Sequence, residues 1–160
     1  MIDTRFMPPE PSAACVFDDS LWPLLLIRLE GPLSPRQFEE MLETRERYLL
    51  RGERHLTLVD RVRGTVPPAP QRKLQDDWMA RHETLLRERL LGIAYAFDTR
   101  LLRWMLNLGF RLKPPPFPYY TAPRLEQAAA WAAHRFEKEG MGEAAGRVRQ
   151  RFALSPGRSP

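Results

Sequence analysis

Three short runs of apolar or β-branched residues, Leu24–Ile27, Leu56–Val59 and Ile93–Phe97, recur along the chain with a helical pattern between each pair, and this alternation constrains the fold more than any other feature. Strands separated by helices of this length read as a mainly parallel sheet with right-handed crossovers. The run Leu24–Ile27 shows no polar alternation, as in a strand covered on both faces. Same-handed crossovers between sequential strands would put every helix on one face. The second face then needs its own cover: an extra terminal element, a partner subunit or an apolar ligand.

Local signals fill in the order of elements. Ala14–Phe17 and Trp22–Glu30 flank the turn-forming Asp18-Asp19-Ser20 and read as a hairpin. Ser34-Pro35, with Gln37 three residues after the serine, is a capping-box start for a helix that presents Phe38, Met41, Leu42 and Leu49 on one face and closes at Gly52. A second helix is expected over about 71–91, with Leu74, Trp78, Leu85 and Leu86 inward and Gly92 as its terminator. Ala94 and Ala96 alternate with Ile93, Tyr95 and Phe97, and such small side chains let a helix approach one sheet face closely. Asp98-Thr99 caps a third helix over about 100–111, whose apolar side is Leu101, Leu102, Met105 and Leu108. The segment "FPYYT" contains Pro118 and reads as an edge strand, and a terminal helix carrying Leu125, Ala128, Ala129, Ala132 and Phe136 runs to Gly140.

The expected fold is therefore a single α/β domain: an N-terminal β-hairpin, then α-β-α-β-α-β-α, with a mainly parallel four- to five-stranded sheet and helices mostly on one face. Residues 1–12, with three prolines, read as an irregular arm, residues 13–140 as the domain, and residues 141–160 as a flexible basic tail.

The net charge of +5 matters through its distribution. Arg147, Arg149, Arg151 and Arg158 follow the last acid, while residues 1–146 hold 21 basic and 20 acidic groups. Arginine outnumbers lysine 22 to 3, and this fits codon bias in a GC-rich genome. Such a tail reads first as solvated, and second as a dock for an acidic partner, RNA or membrane surface. No apolar run approaches the roughly 18 to 20 residues that span a bilayer, and no signal-peptide pattern opens the chain, so a cytoplasmic protein is expected. The lone Cys15 excludes an internal disulfide and a multi-cysteine zinc site, and reads as a packed residue.

Catalytic patterns fail on context. Gly140–Ala145 matches G-x-G-x-x-A but follows a helix instead of a strand. His55, His82 and His134 lack metal-ligand spacing, and no serine sits in a nucleophile elbow. No catalytic residue, cofactor or metal site is expected. Asp60 and Asp98 end neighbouring strands where open α/β sheets hold ligands, and paired carboxylates there can do acid–base work. Arg61, Arg63, Arg100 and Arg103 nearby make structural pairing the preferred reading.

The stretch Gly92–Phe136, "GIAYAFDTRLLRWMLNLGFRLKPPPFPYYTAPRLEQAAAWAAHRF", carries Arg103, Pro116, Pro118, Glu126, Ala129 and Trp131 in a pattern that resembles the C-terminal half of bacterial SpoIIAA-like (STAS/SEC14-like) proteins. A weaker likeness reaches back to about Trp22. The resemblance implies a compact, generally non-enzymatic α/β domain that docks with a regulatory partner or, in SEC14-like members, holds a small apolar molecule. The family's switch serine would start the helix after the loop Asp60–Pro70; here Thr65 is the nearest hydroxyl. The expectation is a regulatory protein–protein interaction module that binds a partner protein or a second copy. Its candidate surface comprises Asp60, Arg61, Arg63, Thr65, Asp98 and Arg103 at the sheet edge, with Phe117, Tyr119 and Tyr120. A carrier of an apolar ligand is the alternative, and nucleic-acid binding through the tail ranks last.

Overall fold

The computed structural model describes residues 15–155. The irregular arm expected at residues 1–12 lies outside the described residues. Five strands form one mixed sheet in the order of the chain: β1 (Cys15–Leu21), β2 (Leu24–Glu30), β3 (His55–Val62), β4 (Leu90–Phe97) and β5 (Tyr119–Ala122). β1 runs antiparallel to β2, and the other neighbours are parallel. The hairpin turns at Trp22-Pro23, beyond the Asp-Asp-Ser triplet, which lies inside β1.

Helix α1 (Pro35–Leu50) starts as the sequence dictates: the Ser34 hydroxyl accepts from the Gln37 N–H, and the Gln37 side chain accepts from the Ser34 N–H. The helix expected over 71–91 is two helices, α2 (Ala69–Arg81) and α3 (Glu83–Arg89). The break falls at His82, whose ring nitrogens lie 2.8 Å from the Trp78 carbonyl and 3.1 Å from Glu46. Trp78 and Leu86 are buried as expected, whereas Leu74 is exposed. These helices and α1 cover one sheet face over Leu25, Ile27, Val59 and Ile93.

Gly92 is a residue of β4, not a helix terminator. A Cβ there would stand 2.7 Å from the Trp131 ring and 3.0 Å from the Pro118 carbonyl, and its φ of +158° adds to the demand for glycine. The missing side chain is the space in which Trp131 lies stacked on Tyr120.

The second face is covered by terminal elements, one of the three covers that the two-sided apolar run demands. α5 (Leu125–Lys138) and α6 (Gly142–Arg151) press Ala128, Ala129, Ala132, Phe136, Ala145 and Val148 onto Leu24, Leu56, Leu58, Ala94 and Ala96. Alanine meeting alanine allows the close approach predicted from β4. Two expectations are thereby corrected. Helices occupy both faces, and the part of the expected flexible tail, residues 141–160, that is described contains a packed helix, because α6 buries Ala144, Ala145 and Val148; residues 156–160 lie outside the described residues. Its arginines are also engaged: Arg147 donates to the Trp22 carbonyl, and Arg149 pairs with Glu137. The stripe Ala144-Ala145-Val148 recurs at helical spacing and makes this segment core. No helix among the described residues is long and apolar enough to cross a membrane.

Candidate functional site

Asp60 sits at the C-terminal end of β3 on the α5 face, directly across the ladder from Arg28. Burial raises its carboxyl above the ordinary aspartate range; Arg28 acts in the opposite sense, while the charges of Asp98 and Glu126 push it further up. The sequence thus brings Asp60 and Asp98 into one field, as expected, but the cation that answers them is Arg28. An alternating strand puts Arg28 and Asp60 on the same face whenever their register matches, and that register is set by tertiary packing.

Of the four arginines expected to neutralise the pair, three are used otherwise. Arg61 points to the opposite face and folds onto its own loop, donating to the Thr65 carbonyl at 2.9 Å, while its Nε is buried without a partner. It lies so close over Gly64 that a Cβ there would stand 2.4 Å from Nε. Arg63 takes a left-handed conformation at φ 51° and pairs with Glu30. Arg103 donates to the Phe97 carbonyl at the end of β4. Loop 60–70 therefore presents Thr65 to solvent, but Arg61 and Arg63 are tied down within the loop and to β2. Asp98 and Arg100 are exposed.

The aromatic candidates separate as well. Phe117 is buried in the core of the α1–α3 face and cannot meet a partner. Tyr119 is half-buried with its ring edge-on to Phe110 at 4.6 Å, and Tyr120 stacks on Trp131 on the other face.

The feature that sequence reasoning misplaced is α4 (Arg100–Leu112). Its apolar residues sweep more than half of the helix circumference, and the helix docks through only part of that arc. Phe110 inserts against Tyr95, Phe117 and Tyr119, Leu102 and Leu106 are half-buried, and Asn107 bonds Thr121 at 3.0 Å. No residue of α4 is fully buried. Leu101, Met105 and Leu108, expected to face inward, point to solvent together with Trp104 and Leu112. Leu101 and Trp104 are each 61% exposed and Leu112 is 77% exposed. The sequence signal was present, since an apolar arc this wide exceeds what one sheet edge can cover.

Internal space is scarce under the α1–α3 face. The cavity bounded by Arg45, His55, Thr57 and Trp78 holds about 10 Å³, room for a single water, and a groove of about 320 Å³ between β1 and α1 is open and lined partly by Gln37, Glu40 and Thr44. Arg45 lies with its guanidinium 4.7 Å from the Trp78 ring centre and has no ion-pair partner among the described residues. No group of three or more metal-ligating side chains gathers among the described residues. No family model, curated protein or solved structure matches the chain.

Proposed function

We propose that this chain is a non-enzymatic docking module of STAS-like type, and that its docking face is the outward side of α4. The observation that carries this reading is the row of Leu101, Trp104, Met105, Leu108 and Leu112 left in water on one side of a well-formed helix. The exposed apolar area is on the order of 500 Å², at the upper end of the largest patch on an ordinary monomer, and such patches mark interaction sites. Packing does not require these residues, because the helix is already anchored through Phe110, Leu106 and Asn107. The likeness of Gly92–Phe136 to SpoIIAA-like domains agrees with docking in place of turnover, and it covers the whole of α4. Loop 60–70 becomes a secondary surface in this reading, since two of its charges are spent internally.

The test is native fractionation of the full chain expressed in its own cells. Wild-type protein should run in a fraction well above its own 18.7 kDa or sediment with a larger structure, and Leu101→Gln/Leu112→Gln should return it to the monomer fraction with its far-UV CD spectrum unchanged. A wild-type chain that runs only as a free monomer would overturn the reading.

A further inference from the structure

The chemistry surrounding the exposed side of α4 defines what it docks on. Arg100, Trp104 and Arg111 follow one another at spacings of four and seven along one line of the helix, immediately beside the line Leu101, Met105, Leu108 and Leu112. From Thr99 to Leu125 the chain holds five cations, Arg100, Arg103, Arg111, Lys113 and Arg124, and no acid. Arg103 is committed to the Phe97 carbonyl, while Arg100, Arg111, Lys113 and Arg124 have no ion pair among the described residues and are exposed. Elsewhere the charges are interleaved: α1 and α3 each hold an arginine–carboxylate pair, and Arg135 of α5 pairs with Glu139 just beyond the helix.

Resting on the docking reading above, we infer that α4 binds the surface of an anionic phospholipid bilayer, lying flat with Leu101, Met105, Leu108 and Leu112 among the acyl chains, Trp104 at their boundary and Arg100, Arg111 and Lys113 against the headgroup phosphates. An amphipathic helix with a basic margin and a tryptophan at the boundary has the composition that seeks this interface. Thirteen residues give a helix of about 20 Å, too short to cross a hydrocarbon core of about 30 Å but ample for lying in its plane. A second copy is a poorer occupant. Two α4 helices paired antiparallel about a twofold axis would bring Arg100 of each copy near Arg111 of the other, where Asp98, just before the helix, is the one acid nearby in sequence to set against the two cations. A surface of fixed negative charge relieves their repulsion everywhere at once.

The experiment is co-sedimentation of the full chain with vesicles of phosphatidylcholine alone and of phosphatidylcholine with about a third phosphatidylglycerol. The chain should pellet with the anionic vesicles, release as salt rises, and show a blue shift of tryptophan emission that Trp104→Phe removes. Leu101→Glu/Leu112→Glu should abolish pelleting, and Arg100→Gln/Arg111→Gln should weaken it by about 30-fold, the effect of two cations near an anionic leaflet. All four positions are exposed, and unchanged urea midpoints would show that the variants fold. Equal binding to neutral vesicles, or none to either, overturns the lipid assignment. If the chain fails on both vesicles yet still runs in a large, vesicle-free assembly that depends on Leu101 and Leu112, α4 docks on a protein: the inference falls and the docking reading survives. If neither binding is found, both fall.

Discussion

Replacing Gly92 with alanine tests how β4, β5 and α5 are locked together. The new Cβ meets the Trp131 ring at 2.7 Å and the Pro118 carbonyl at 3.0 Å, and Pro118 is the acceptor of the Ile93 N–H that pins the start of β5 to β4. Overpacking of this kind costs about 1 to 3 kcal/mol, and holding alanine at a φ of +158° adds about 1 kcal/mol or more. The expected loss is about 3 kcal/mol, lowering Tm by about 6 to 12 °C for a chain of this size. Urea unfolding followed by far-UV CD would measure it. Because Trp131 is one source of the clash, Trp131→Leu should relieve part of the penalty: the double variant should be at least about 1 kcal/mol more stable than the sum of the two single losses predicts. Coupling stays partial, since the Pro118 contact and the backbone strain remain. A Gly92→Ala protein within about 0.5 kcal/mol of wild type, or losses that simply add, would refute the account of why glycine stands there.

Three further outcomes follow from the same packing. Ending the chain at Gly140 removes α6 and strips Ala144, Ala145 and Val148 from the sheet; stability measured by urea unfolding should drop by about 3 kcal/mol or more, comparable to deleting a large core side chain, whereas a loose tail would cost nothing. Asp60→Asn should stabilise the fold at pH 7. Burial raises the Asp60 pKa in the folded state, so this group's favourable contribution is present below its unfolded pKa and is lost as pH climbs through the folded value. The advantage of asparagine should therefore shrink on acidification toward the ordinary aspartate range, and a variant less stable than wild type at pH 7 would contradict this. Burial pushes the Cys15 thiol up to about 11; alkylation by iodoacetamide at pH 8 should lag far behind a free thiol and accelerate only as pH nears that value, with rapid labelling in the folded protein as the opposing result.

Much of the architecture was legible from local chemistry. Ser34, Pro35 and Gln37 specify a helix start through their own hydrogen bonds, whatever packs nearby. The alternation of Ala94 and Ala96 with larger residues announces a face built for close helix contact. What escaped depended on choices made between elements. The pattern of 71–91 is helical throughout, yet the chain bends at His82, where Trp78 and Glu46 both engage the imidazole, and Glu46 comes from a different helix. After Gly140 the arginines dominate the sequence pattern, although Ala144, Ala145 and Val148 make a stripe that a short helix can bury. For α4, a broad apolar arc offers several ways to seat the helix, and only the meeting of Phe110 with Tyr95 and Tyr119 selects one. At the sheet edge, residue type alone foretold the proximity of Asp60 and Asp98 but gave no clue to Arg28, because register across a parallel pair is fixed by the whole ladder.

The strictly sequential order of the sheet has a consequence for how the chain is made. Each strand is laid beside the one synthesised just before it, so β1 to β4 and helices α1 to α3 can assemble from near neighbours as they leave the ribosome. The opposite sheet face must wait for α5 and α6, which follow all five strands in the chain. Leu24, Leu56 and Leu58 are therefore bare until α5 and α6 emerge, and a nascent chain halted near β5 would offer chaperones a broad greasy sheet that the folded domain never shows.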